Sequence, residues 1–220
     1  MSFIEVIRCF NEQTASIRGK PVILNKIKQI GVVEMSKAVI IFGSPSKTSR
    51  LTSVIQYAQE VLQASGMQTE WINVADLPAE DLILARFDSP SIVQANALVE
   101  QADAILIASP VYKASYTGVL KTFLDLIPQR GLADKLILPI FMGGTMAHLL
   151  SIDYSLKPVL SALAARYMLG GVYIVDSEVT RNEQGSIELS EAIKGRLDDS
   201  LRQFVEETAW YSQRGKSRGQ

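Results

Sequence analysis

Cysteine and histidine are almost missing: Cys9 and His148 are the single representatives of their kinds in 220 residues. One cysteine excludes an internal disulfide and any cysteine-cluster metal site, and a lone histidine leaves too few ligands for a conventional zinc centre. Excess charge is missing too. Lys and Arg total 22 against 23 Asp and Glu, a formal net charge of −1, so no bulk field is available to hold nucleic acid or an anionic membrane. The longest apolar runs, such as Ala104 to Ala108 and Leu136 to Met142, fall well short of the roughly 20 residues that a membrane span needs. No charged-then-apolar leader opens the chain. The expectation is a cytoplasmic protein without nucleic-acid or membrane partners, of a length that one domain accommodates.

What is present is an alternation of two periodicities. A β-branched run from Ala38 to Phe42 enters a Gly/Ser/Pro loop, and helical spacing follows through Leu51, Val54, Ile55, Ala58 and Leu62 to Gly66. Further strands are predicted at Thr69 to Val74, Ala104 to Ala108, Leu136 to Met142 and Gly171 to Val175. Helices are predicted at Ser91 to Gln101, Tyr116 to Ile127, His148 to Arg166 and about Ser190 to Tyr211. This is an α/β pattern of βαβ units, a doubly wound, mostly parallel five-stranded sheet with helices on both faces. The third and fourth strands are apolar at nearly every position, as a sheet covered on both faces requires.

The two ends stand apart. Residues 1–34 precede a second methionine, Met35, from which MSKAVIIFGSP enters the first strand at once. Either Met35 is the natural start, or residues 1–34 are an N-terminal extension with a short helix from about Pro21 to Ile30, proline being tolerated in a first helical turn. The domain is expected over 35–211. Residues 212–220, SQRGKSRGQ, are polar, basic and aperiodic, and read as a disordered tail.

Three loops carry candidate chemistry. The first, Gly43 to Ser53, joins the first strand to the first helix, where a doubly wound sheet binds phosphate. Gly43 allows a tight turn. Ser44, Ser46, Thr48, Ser49, Thr52 and Ser53 offer hydroxyls, and Arg50 a charge-assisted donor. It matches neither a Walker loop nor G-x-G-x-x-G, and serine-rich turns are also ordinary helix caps. The second loop leaves the third strand with Pro110, Val111, Tyr112 and Tyr116, the tyrosines being either partners for a planar ring or packing residues, and Gly118 permits close backbone approach. The third, Met142 to His148, brings Gly143, Gly144 and Thr145; its lone histidine reads as a helix cap or a packed side chain sooner than as a catalyst. A phosphate-type loop, an aromatic loop and a polar rim, with no triad or carboxylate pair, suit a flat phosphorylated cofactor that carries its own chemistry.

One more feature is Pro158, inside the helical pattern His148 to Leu163. Proline lacks an N–H and crowds the carbonyl four residues earlier, that of Tyr154. The helix can widen there into a π-bulge, or two helices can meet near Ser155 with Pro158 in the first turn of the second.

At these residues the chain resembles the flavodoxin-like NAD(P)H-dependent FMN reductases, in particular the branch that supplies reduced flavin to alkanesulfonate monooxygenases in sulfur assimilation. The likeness runs from about Ser36 to Val179 and lies in GSPSKTSR, LPAEDLILARFDSP, SPVYKASYTGVLKTFLDLIP, GGTMAHLLSIDYSLKPVLSAL and DSEV. The resemblance implies strand order 2-1-3-4-5 with FMN at the carboxyl edge. It places Ser44, Ser49, Arg50, Thr52 and Ser53 around the flavin phosphate, with Pro110, Val111, Tyr112 and Tyr116 along the ribityl chain and ring. Gly143, Gly144 and Thr145 would lie opposite. It makes Tyr154 the inserted residue of a π-helix at a subunit interface, controlling flavin transfer in a dimer or tetramer. The last helix matches loosely and the first 34 residues not at all. The implied activity is hydride transfer from NADPH, or NADH, to FMN, with reduced flavin passed to a flavin-dependent monooxygenase and no side chain acting as acid or base. The alternatives are a tightly FMN-bound reductase of quinones, azo dyes or metals, and a flavodoxin-type electron carrier.

Overall fold

The computed structural model describes residues 36–46, 48–181 and 187–218. The expected extension, its helix at 21–30 and the Met35 start lie outside the described residues. β1 (Lys37–Phe42) opens the sheet, buried at every position after Lys37. α1 (Arg50–Ala64) follows, and its buried residues Leu51, Val54, Ile55, Ala58 and Leu62 are the ones the helical spacing selects. The helix starts at Ser49, in extended conformation, whose side chain accepts the Thr52 N–H.

The chain then forms β2 (Gln68–Asn73), α2 (Ala79–Ile83), α3 (Pro90–Gln101), β3 (Ala104–Tyr112), β4 (Ser115–Tyr116), α4 (Gly118–Leu124) and β5 (Leu136–Gly143). A 3₁₀ turn at Met146–His148 leads to a π-helix at Ile152–Leu156 and directly into α5 (Lys157–Ala162). β6 (Tyr167–Met168), β7 (Val172–Val175), β8 (Val179–Arg181), β9 (Ile187–Leu189) and α6 (Glu191–Arg218) complete the described chain. No helix among the described residues is long and apolar enough to cross a membrane.

β2, β1, β3 and β5 lie in that order with parallel neighbours, and β6 and β7 both pair in parallel with β5. This is the expected order 2-1-3-4-5, with two amendments that make seven strands of five. β4 adds a short antiparallel hairpin to the end of β3. The fifth strand is split into β6 and β7, and Pro139 explains the split. Ile137 accepts the Leu169 N–H on its outer side; by the alternation of a parallel ladder, Pro139 faces the same way and has no N–H to give. The chain bends there instead, through Gly171 at φ +87, where a Cβ would sit 3.0 Å from the Pro139 carbonyl oxygen.

Alternate strand residues feed opposite faces. Ile40, Phe42, Leu106 and Leu138 pack with α1 and with Ile193, Leu197, Leu201 and Phe204 of α6. Val39, Ile41, Ile105 and Ile107 pack with α3, α4, the π-helix and α5 through Ile92, Phe123, Leu156 and Leu160. At the edge where β3 and β5 begin, buried Lys135 caps the end of α3, its Nζ donating to the carbonyls of Glu100 (2.9 Å) and Ala102 (2.7 Å). Burial pushes its pKa below the ordinary lysine value.

Several boundaries differ from expectation. α4 begins at Gly118 rather than Tyr116, because β4 takes Tyr116 into the hairpin. α2 and the β8–β9 hairpin are additional. α6 continues past Tyr211 to Arg218, into residues read as a disordered tail; Gln, Arg and Lys propagate a helix already started even where nothing apolar recurs.

Candidate functional site

A cleft of about 500 Å³ lies along the carboxyl ends of β1, β3 and β5, the edge where an open α/β sheet takes ligands, at the point where β1 and β3 send their connections to opposite faces. Its described lining is Thr48, Ser49, Arg50 and Leu51 at the start of α1, Pro110, Val111 and Tyr112 at the end of β3, Met142, Gly143 and Gly144 at the end of β5, and Asp176 after β7. All three loops selected from sequence thus converge, and a fourth joins them.

Each wall has a local cause. Ser49 ends the extended loop, and its Oγ accepts the Thr52 N–H at 3.3 Å and lies 3.1 Å from Thr52 Oγ1. The amides of Arg50 and Leu51, ahead of it in the first turn, have no intrahelical acceptor and form the positive end of the α1 dipole. Arg50 reaches across to the turn after β7. Its Nη1 donates to the carbonyls of Asp176 (2.8 Å) and Val179 (3.3 Å), and its Nη2 lies 3.5 Å from Asp176 Oδ2. Tyr112 stands more than half exposed at the base of a two-residue hairpin. Lys113 (φ 51) and Ala114 (φ 64) both take the left-handed conformation there, a type I′ arrangement that ordinarily selects glycine or asparagine.

In the loops of the cleft, glycine is required at two positions for reasons of space. A Cβ on Gly43 would lie 2.5 Å from Leu120 Cβ of α4. Gly43 is therefore there for helix packing, and no left-handed turn needs it. A Cβ on Gly143 would lie 2.2 Å from the Tyr173 hydroxyl, which donates to the Thr145 carbonyl at 2.8 Å and so pins the loop after β5. Burial, helped by the Asp176 charge, raises the Tyr173 pKa. At Gly144, by contrast, no atom lies within 4 Å of the Cβ position, and the backbone opens onto the cleft. Gly118 also meets nothing within 4 Å, so the close approach expected of it does not occur within the described chain.

Not every expected residue faces the cleft. Ser44 is buried, its Oγ donating to the Ser46 carbonyl and accepting the Ser46 N–H, so it shapes the loop from inside. Thr52 and Ser53 sit in the first turn of α1 behind the lining. Thr145 caps the 3₁₀ turn, its Oγ1 accepting the Ala147 N–H. Tyr116, partly buried, packs against the core beside Phe141, ring centroids 6.5 Å apart, and burial raises its pKa. Tyr154 lies outside the lining, in the π-helix and 79% exposed.

That π-helix decides the question raised by Pro158. The Lys157 N–H bonds to the Ile152 carbonyl, five residues back, and the Ser155 hydroxyl donates to the Ser151 carbonyl. Backbone angles stay helical through Lys157 into α5, with Pro158 in its first turn. The π-helix packs against β4, whose hairpin partner Tyr112 lines the cleft. Of the lining residues, Thr48 is one of the hydroxyls the sequence marks in the first loop, whereas Leu51, Met142 and Asp176 are not among its candidate contacts. Asp176 had a signal: it follows the fifth strand as the other loops follow theirs.

Arg50 and Asp176 are the charged groups among the described lining residues, and they face each other. The arrangement offers no matched acid and base. It offers a polar, amide-rich end, an apolar wall of Leu51, Pro110, Val111, Tyr112 and Met142, and an unobstructed floor at Gly144. The family model for NADPH-dependent FMN reductase matches residues 36–180. The chain belongs to this family. It is an oxidoreductase that uses FMN and NAD(P)H. An "FMN reductase (NADPH)" of Pseudomonas putida is 48% identical over 167 residues, 76% of this chain and 85% of that protein. An Escherichia coli protein of the same description is 43% identical over 168 residues, 76% of this chain and 87% of its own. Among solved structures, the apo form of an NADH:FMN oxidoreductase, EmoB, superposes with a TM-score of 0.71 at 33% identity, covering 79% of this chain and 90% of that one. The cleft of this FMN reductase fits an elongated ligand with a phosphate at one end and a flat ring at the other.

Proposed function

We propose that this reductase oxidises NADPH, reduces FMN as an exchangeable substrate, and releases the reduced flavin to a two-component monooxygenase of the alkanesulfonate type, working as a homotetramer. The observation that carries the reading is the cleft itself: a helix start and Arg50 at one end and an open apolar slot at the other, with no acid–base pair among the described lining residues. The names of the 48% and 43% identical relatives favour NADPH over NADH.

Bound FMN supplies the hydride-accepting chemistry. The protein's part is to bind and orient. Arg50, the Ser49 cap and the first amides of α1 hold the phosphate, while Ser44, Thr52 and Ser53 keep the loop in shape around it. Pro110, Val111 and Tyr112 border the ribityl chain and one ring face, with Tyr116 supporting the hairpin from below. Gly143, Gly144 and Thr145 give the other side, where the missing side chain at Gly144 leaves room for the nicotinamide to approach, and holding both rings in register is the main catalytic contribution. Tyr154, projected by the π-helix, contacts a neighbouring subunit and couples assembly to flavin release through the β4 hairpin.

The test follows NADPH absorbance with flavin-stripped protein and increasing FMN. Turnover far beyond one equivalent, saturating in FMN, is expected. A single reduction of retained flavin, awaiting a quinone or dye, would replace this reading with that of a tightly flavin-bound reductase.

A further inference from the structure

We propose that Asp176 is an affinity-limiting residue: its carboxylate offsets Arg50 at the phosphate end of the cleft and so keeps FMN exchangeable. The inference rests on the reading that FMN enters with its phosphate at the start of α1.

Among the described lining residues the formal charges are those of Arg50 and Asp176, and they sum to zero. A phosphate monoester brings close to two negative charges at neutral pH, and a site built only for retention would leave its arginine unopposed. Here Asp176 Oδ2 stands 3.5 Å from Arg50 Nη2, with both side chains partly open to the cleft at 41% for Arg50 and 44% for Asp176. That separation is beyond a good hydrogen bond, so the carboxylate acts through its charge, repelling the phosphate that Arg50 attracts.

The position is fixed by the fold. The turn is closed by the Val175 N–H donating to Glu178 Oε2 at 2.9 Å, and Val179 anchors it in the core. Arg50 is held by main-chain carbonyls of the turn, those of Asp176 and Val179. The two roles therefore separate: the backbone of the turn positions Arg50, and the side chain of Asp176 sets the charge it presents. Asp176→Asn keeps the former and deletes the latter.

The experiment titrates FMN and riboflavin separately into the flavin-stripped full chain, read by flavin fluorescence, at low and high salt. Riboflavin lacks the phosphate and otherwise offers the same ring and chain. Asp176→Asn should bind FMN about three- to tenfold more tightly at low salt, partly screened pairs being modest, with riboflavin affinity unchanged and the gain shrinking as salt rises. Asp176→Glu, which keeps the charge, should retain the wild-type ratio of the two affinities. Unchanged or weaker FMN binding in Asp176→Asn, or FMN and riboflavin moving together, would overturn the inference and leave the reductase reading standing. Wild-type protein that binds riboflavin as tightly as FMN would overturn the phosphate placement itself, and the inference with it.

Discussion

α1 and the helical segment after β5 both start at the rim of the cleft, yet α1 is unbroken over Arg50–Ala64 while the other passes from a 3₁₀ turn through a π-helix into α5. On the proposed function, the difference follows from where each segment does its work. α1 works at its first turn, where amides are free, so everything behind that turn is regular: a Ser49 cap, five buried apolar residues, and Tyr57, whose hydroxyl donates to Asp198 of α6 at 2.6 Å. The segment after β5 works in its middle. There the helix widens into a π turn and leaves Tyr154 in solvent while Ile152 and Leu156 stay buried on either side of it. Regularity makes a binding end; a fault makes a projecting side chain.

Deleting Tyr154 should erase the contrast and have the largest effect. The π-helix should relax to an α-helix with little loss of stability, since the ring is exposed, while sedimentation shows altered assembly and flavin co-elutes on gel filtration. Normal assembly with normal turnover would reduce Tyr154 to a surface residue. Next, Gly43→Ala attacks the regular side by driving a Cβ against Leu120. A loss of about 1–3 kcal/mol is expected in thermal unfolding, whereas Gly144→Ala, which meets nothing, should melt like wild type. Third, Ser49→Ala removes the α1 cap at about 1 kcal/mol and should lower the Tm by roughly 2–4 °C.

A smaller effect concerns the far anchoring of α1. Burial first, and the hydrogen bond to Asp198 second, push the Tyr57 pKa up to about 12 from an ordinary value of 10.0. The folded state thus favours the protonated phenol. Its contribution is complete below about pH 10 and is lost as pH rises through about 12. In Tyr57→Phe the fall in Tm over that window should be shallower than in wild type; an identical alkaline limb would place the sensitivity elsewhere. Smallest, Ala114→Gly relieves one left-handed residue of the hairpin at the cleft and should raise stability by about 0.5–1 kcal/mol, read by denaturant midpoint.

What was legible in the sequence was what local periodicity encodes. The switch from the unbroken apolar run of Ala38–Phe42 to the helical spacing of Leu51–Leu62 places β1, its loop and α1, and Pro158 by itself marks the faulty helix. What stayed hidden depends on contacts between distant segments. Gly43 looks like a turn residue until α4 is seen against it. Tyr116 looks like a ring partner until the hairpin turns it toward Phe141. Asp176 looks like an ordinary loop acid until Arg50, far away in sequence, reaches it. The splitting of the fifth strand needs the register that sets Pro139 opposite residues 169–171.

That split has a consequence for how copies of the chain can meet. An exposed sheet edge is a template for adding a strand from another molecule, and long flat edges invite indiscriminate stacking. Here the outer border is two short pieces, β6 and β7, on either side of a bend. Main-chain recognition along that border is therefore discouraged, and a partner meeting the sheet there would be selected by side-chain shape and chemistry.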